Sequence, residues 1–176
     1  MKLRHLFFAC SGVFVMMFSL LLLVVIVFSD EEDGGSGGNL IYGGVSVSQE
    51  VLAHKPMLEK YAREYGIEEY LNVLLAIIQV ESGGTLEDVM QSSESLGLPP
   101  NSLSTEESIK QGCKYFSELL AAAETNGCDL NSVIQSYNYG GGFLDYAAVH
   151  GKKYTFELAE SFARDKSGGK KVTYTN

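Results

Sequence analysis

Between Leu6 and Phe28 the chain runs for 23 residues without a charge, LFFACSGVFVMMFSLLLLVVIVF, and this run divides it into two unlike parts. As a helix rising about 1.5 Å per residue it would reach roughly 35 Å, enough to cross a hydrocarbon core of about 30 Å. Lys2 and Arg4 precede it, and Asp30, Glu31, Glu32 and Asp33 follow it. That asymmetry puts the N-terminus in the cytoplasm and everything after Phe28 outside. A cleaved secretory signal is the alternative, with Val27 and Ser29 small enough to mark a cut before Asp30. The apolar core of such signals usually spans only about 7–15 residues, which favours an uncleaved anchor. Cys10 continues the apolar run and reads as a membrane-buried thiol.

The expected organisation is therefore a cytoplasmic stub and transmembrane anchor over 1–29, a Gly-rich acidic linker over 30–45, and one domain over 46–176. The linker (DEEDGGSGGNLIYGG to Gly44) has too few apolar residues to fold alone and reads as a flexible tether. All 22 acidic residues lie beyond Phe28, against 13 basic residues in the whole chain, two of them ahead of the anchor. So acidic an exterior argues against a phosphate-backbone partner, which needs clustered cations, and disfavours tight attachment to anionic lipid. A neutral or mixed-charge polymer is compatible with it. The three histidines, His5, His54 and His150, stand in no metal-ligand spacing. No glycine loop follows a strand to hold a nucleotide, so neither metal nor cofactor is expected.

Periodicity in the exterior part is helical nearly throughout, predicting a mostly α domain. A first helix covers about residues 48–65, bent or restarted at Pro56 and ended by Gly66. A second, 68–82, carries the most apolar stretch of the domain and stops at Gly83-Gly84. A third opens with Ser104-Thr-Glu-Glu107, a capping box. Its Ile109, Cys113, Phe116, Leu120 and Ala123 then fall on one stripe. A fourth runs from Asp129 to about Tyr139, and shorter helices are expected at 143–150 and 155–164. No segment alternates convincingly as a strand, although short hairpin pieces near 85–95 stay open. A bridge between Cys113 and Cys128 would require the chain to double straight back along the third helix, so Cys113 reads as a core thiol.

Glu81 carries the strongest chemical signal. It follows Ile78, Ile77 and Leu74 by three, four and seven residues and so shares their buried face. Desolvation and the negative end of the helix dipole both disfavour its anion. A carboxyl kept protonated near neutral pH is what a glycosidase acid must be; a solvated glutamate at a fraying helix end is the plain alternative. Gly83 and Gly84, lacking Cβ, would let a substrate come close to it. Asp88, seven residues on, could fold back to supply the second of the two carboxylates that glycoside hydrolysis usually employs, with Glu87 the competing choice. Gln91, Ser92, Ser93 and Glu94 offer donors and acceptors suited to sugar hydroxyls, as a plain loop also would. Tyr137 and Asn138 end the fourth helix, beside the exposed backbone of Gly140, Gly141 and Gly142.

Taken together, a glutamate in a Glu-Ser-Gly setting, a Met-Gln loop and a Tyr-Asn-x-Gly element resemble the lysozyme-like superfamily of goose-type lysozymes and soluble lytic transglycosylases. VLLAIIQVESGG, DVMQSSESLGLPPN, SIKQGCKYFSELL and SYNYGGGF are most similar to the muramidase domain of cell-wall hydrolases encoded by Gram-positive conjugative transposons. The resemblance spans about residues 46–176. It implies a lysozyme-like helical domain acting on peptidoglycan glycan strands, with Glu81 as the catalytic acid and Asp88 as the second catalytic carboxylate. It implies further that Gln91, Ser93, Tyr137 and Asn138 line the sugar groove.

Two departures from the family pattern matter. Many of those enzymes carry a following cysteine peptidase domain, absent from this sequence, so glycan cleavage alone is expected. The transglycosylases have a Gly-Leu-Met-Gln element where this chain has Asp88-Val89-Met90-Gln91, which favours hydrolysis over transglycosylation. The implied setting is the outer face of the cell membrane, where the enzyme would open the wall locally for a conjugation or secretion apparatus. The alternatives are a lytic transglycosylase on the same fold and a glycan-binding scaffold without activity.

Overall fold

In the computed structural model, residues 40–42 and 45–168 are described. Two three-residue strands, β1 (Leu40–Tyr42) and β2 (Val45–Val47), pair antiparallel with Leu40 opposite Val47 and Tyr42 opposite Val45. Helices follow: α1 (Gln49–Ala53), α2 (Lys55–Glu64), a 3-10 turn at Glu68–Tyr70, and α3 (Leu71–Glu81). After a long loop containing the 3-10 helix Ser92–Leu96 come α4 (Thr105–Asn126), α5 (Leu130–Tyr139), α6 (Gly142–Val149) and α7 (Phe156–Lys166). The expected mostly helical domain is what forms. Residues 6–28 lie outside the described residues, among which no helix is long and apolar enough to cross a membrane.

Each helix boundary has a local cause. Pro56 sits in the first turn of α2, where its missing N–H costs nothing, so the first predicted helix becomes two, divided at His54. Ser104 and Glu107 form the expected capping box at the start of α4. Gly127, at φ 69°, closes that helix in the left-handed conformation. Asp129 caps α5 by accepting from Ser132 N at 2.9 Å, and the same carboxylate accepts from Tyr154 N ahead of α7.

Leu71–Glu81 is apolar on all sides: Val73 through Ile78 are six consecutive buried residues. Such a helix can only be central, and β2, α1 and α2 pack around α3. The long α4 closes the core, meeting α2, α5 and α6 with Ile109, Cys113, Phe116 and Leu119. Cys113 and Cys128 are free thiols. Burial foremost, and then the charge of Glu64, pushes the Cys113 thiol up to about 12. A second, smaller cluster of Phe143, Ala147, Ala159 and Phe162 joins α6 to α7, with Phe143 and Phe162 edge-to-face at 5.4 Å.

One expectation needs correction. Residues 40–42 and 45, assigned to the flexible linker, belong to the strand pair. The signal was present in LIY-GG-VSV: two short runs bearing β-branched or aromatic residues, separated by Gly-Gly, as in a two-residue hairpin. Conversely, no strand forms over 85–95, where the chain instead makes turns and the 3-10 helix. Asp88 and the serines there prefer side-chain bonds to the backbone over a ladder.

Gly84 and Gly97 separate two ways in which a glycine is needed. Both have positive φ, 77° and 70°. A Cβ on Gly84 would lie 2.7 Å from Glu50 C and Val51 N, whereas one on Gly97 would meet nothing. Gly84→Ala is therefore expected to cost about 2–3 kcal/mol, from overpacking plus backbone strain. Gly97→Ala should cost about 1 kcal/mol, from backbone conformation alone. Urea unfolding of both variants measures the difference.

Candidate active site

Glu81 is the last residue of α3, and the chain leaves it through a turn stapled on two sides. Ser82 Oγ donates to Val89 O at 2.7 Å and accepts from Gly84 N at 3.0 Å, closing the loop on itself. From behind, Ser48 N donates to Gln79 Oε1 at 2.7 Å and Ser48 Oγ to Gly83 O. His54 Nε2 lies 2.9 Å from Gly84 O. The glycine pair was expected to admit a substrate. At Gly84 the missing side chain admits the backbone of α1 instead.

The Glu81 carboxyl is partly buried, and no Lys or Arg pairs with it among the described residues. Burial first, then the negative charges of Glu94 and Asp88, push it up to about 8. All three causes disfavour the anion, so the group is mostly protonated at neutral pH.

The loop folds back and brings Asp88 near enough to Glu81 for its charge to oppose ionisation of that group. Asp88 is wholly buried, and both of its oxygens are taken. Oδ1 accepts from Ser92 N at 3.0 Å and from Ser108 Oγ at 2.6 Å, while Oδ2 accepts from Ser93 N at 3.2 Å. Ser108 Oγ also accepts from Met90 N, and Ser92 Oγ donates to Ser108 O, so the loop is bound to α4 through a dry polar knot. These three bonds, of about four that a carboxylate can accept, fix Asp88 within the loop and against α4. Glu87, the competing choice, is exposed.

Beside this knot lies a groove of about 640 Å³. Gln91, Glu94, Leu98 and Pro99 of the loop line it together with Tyr115 of α4 and Tyr137, Asn138 and Tyr139 at the end of α5. Of the four residues expected in a sugar groove, Gln91, Tyr137 and Asn138 line this cavity. Gln91 stands in the left-handed conformation (φ 47°), its amide donating to Asp88 O and Asn101 Oδ1, both at 2.8 Å. Tyr137 donates to Met90 O at 3.1 Å. Burial and, next, the charge of Glu81 hold its phenol well above the usual range, so it stays a neutral donor. Ser93 is the exception. It is fully buried and absent from the groove wall, because its N–H is committed to Asp88 and turns the residue inward. Glu81 adjoins the groove rather than lining it, coupled electrostatically to Glu94 and Tyr137.

Tyr115, Leu98 and Pro99 line the cavity without a role expected from the sequence. The usable signal was Gly112, a glycine inside a long helical pattern, which marks a close approach. A Cβ there would come within 3 Å of Met90 Sδ and Tyr137 OH. Among the described residues no group of His, Cys, Asp or Glu could hold a metal.

The model of the family described as Lysozyme-like matches residues 48–176. The chain belongs to the lysozyme-like family. This lysozyme-like chain is 44% identical over 124 residues to the bifunctional muramidase/DL-endopeptidase CwlT of Bacillus subtilis, covering 70% of this chain and 37% of that protein. It is 38% identical to the uncharacterized membrane protein YocA of the same organism, covering 66% and 52%. A crystal structure of a protein similar to lipoprotein, NLP/P60 family, from Staphylococcus aureus superposes with a TM-score of 0.73 at 73% identity, over 75% of this chain and 45% of that one. The chain thus spans between about a third and a half of the length of these relatives.

Because Glu81 titrates near 8 in the fold and near 4.5 otherwise, its protonated form is the one the fold favours. That contribution is full below about pH 4.5 and is lost as pH rises through 8. The stability of Glu81→Gln relative to the parent should therefore grow between pH 4.5 and 8, levelling at roughly 3–5 kcal/mol. Paired thermal melts across that range check the sign. Asp88→Asn would place an amide N–H against Ser93 N, costing about 1–3 kcal/mol, measurable by the same melts.

Proposed function

We propose that this chain is a peptidoglycan glycan-strand hydrolase, an N-acetylmuramidase that cleaves the β-1,4 bond between N-acetylmuramic acid and N-acetylglucosamine, with Glu81 as general acid. One observation carries the reading: a carboxyl at the end of a buried helix, beside a groove, held up to about 8 with no cation near it among the described residues. A glycosidic oxygen leaves only if protonated as its bond breaks, and the charge left on the ring is that of an oxocarbenium ion. A neutral acid set among negative groups suits both needs, giving a proton first and then adding to the anionic field that steadies the cation. Membership of the lysozyme-like family and similarity to a protein named a muramidase support the substrate class.

Neutral Tyr137, Asn138 and Gln91 would orient the sugar by hydrogen bonds, and the apolar faces of Tyr115, Leu98 and Pro99 would take its C–H faces. Asp88 supports this site from beneath, by fixing the loop and by opposing ionisation of Glu81. The run Leu6–Phe28 would hold the domain at the outer face of the membrane. There it would open the wall locally for a conjugation or secretion apparatus, a role that rests on the family resemblance.

Purified protein digested against peptidoglycan should release new reducing ends with N-acetylmuramic acid at the cut. Release of 1,6-anhydro ends would instead mean transglycosylation, and glycan binding without cleavage a scaffold. Glu81→Gln should lower the rate by roughly 10²–10⁴-fold. kcat/KM should fall as pH passes about 8, since the ionised acid has no proton to give. Full activity of the Glu81→Gln protein, or a flat profile to strongly alkaline pH, would refute the assignment.

A further inference from the structure

The groove carries a sign. Among the described residues that line it, Glu94 is the one acid, and none is Lys, Arg or His. Its other polar side chains, such as Gln91, Ser95 and Asn138, are neutral. Glu94 is exposed, and among the described residues no hydrogen bond or ion pair engages its carboxylate. Its field is nonetheless felt beyond its own position. At Glu81, which adjoins the groove, Glu94 is the larger of the two like charges that oppose ionisation.

The backbone that carries Glu94 is fixed. It is the third residue of the 3-10 helix Ser92–Leu96, and the first two donate their N–H groups to Asp88. Ser95 Oγ donates to Ser92 O and accepts from Gln111 Nε2 of α4, bracing the same helix from its other end. A ligand that pairs with Glu94 therefore has no loop to order first. On a glycan strand, charge of the opposite sign arises at carbon 2 of the hexosamines. An acetamido group there is neutral, with a single N–H. The amine left by N-deacetylation takes up a proton and becomes an ammonium, with three donors and no acceptor. In this groove such a group meets a carboxylate and no opposing cation.

We propose that the groove selects glycan strands by charge, taking strands with free hexosamine amines in preference to fully N-acetylated ones, and that Glu94 is the residue that reads the ammonium. The inference rests on the glycan-hydrolase reading above and adds to it the chemical state of the substrate. Glu94 takes no part in bond breaking. It lines the groove, whereas Glu81 only adjoins it, so the ring that meets Glu94 is a bound neighbour of the bond that is cut. An exposed ion pair of this kind is worth about fivefold in affinity at low salt and loses that worth as ions screen it. Salt dependence therefore separates charge reading from a loop-packing role, which screening leaves alone.

The test compares one peptidoglycan before and after treatment with a peptidoglycan N-deacetylase, scoring new reducing ends released by the full-length protein. At low salt kcat/KM should be about fivefold higher on the deacetylated wall, chiefly through KM. The preference should vanish near 1 M salt, where charges are screened beyond roughly 3 Å. Glu94→Gln should cut both walls equally well, and Glu94→Lys should prefer the acetylated one. Glu87→Gln, an exposed acid off the groove, should keep the parent's preference. Equal cutting of both walls by the parent, or a preference that survives in Glu94→Gln, overturns the proposal. If the parent cuts neither wall, it is the hydrolase reading that fails. Calorimetry with β-1,4-linked glucosamine oligomers and their N-acetylated counterparts then decides the charge preference by itself: tighter binding of the amine form, lost in Glu94→Gln, upholds it, and equal binding overturns it.

Discussion

One buried carboxylate sets the geometry of this site. Asp88 has no exposed surface, and sequestering a charge of that size from water costs several kcal/mol. Three donors offset the cost, two of them consecutive N–H groups opening the helix Ser92–Leu96 and the third the hydroxyl of Ser108 on α4. Because those donors come from separate parts of the chain, the bonds convert a long irregular loop into a wall with a defined relation to α4. Gln91 is drawn into a left-handed backbone as part of the same arrangement. The groove is thus built outward from an anion that does not enter it.

The same anion has a second effect through space. With Glu94 it opposes ionisation of Glu81, to which burial contributes most. Among the described residues no ion pair to Glu81 offsets these like charges, an arrangement that costs stability. Tyr137 links the two effects. It hydrogen-bonds the loop at Met90, stacks obliquely on Tyr115 at 5.5 Å, and feels the charge of Glu81. Gly112 makes the meeting possible by giving up its side chain to Met90 and Tyr137.

Most of the helical frame was legible because its causes are local: a capping box at Ser104, Pro56 restarting a helix, and an apolar run that can only be central. Glu81 was legible for the same reason, since three- and four-residue spacings put it on a buried face. Less was legible where side chains choose between water and the backbone. Asp88, Ser92 and Ser93 looked alike as polar loop residues, and only the fold shows Asp88 and Ser93 turned inward while Glu94 stays out. The strand pair at 40–47 was hidden by its own brevity, three residues a side inside a Gly-rich segment. Tyr115 and Pro99 could be found only once α4 and the loop were known to face each other.

The way the chain enters the domain bears on mechanics. Residues before 40 connect through β1 and β2 to Ser48, whose amide and hydroxyl grip Gln79 and Gly83. Those contacts lie two residues to either side of Glu81. Tension along the N-terminal segment would therefore be delivered to the shoulder of the acid's own helix before reaching α4 through α7.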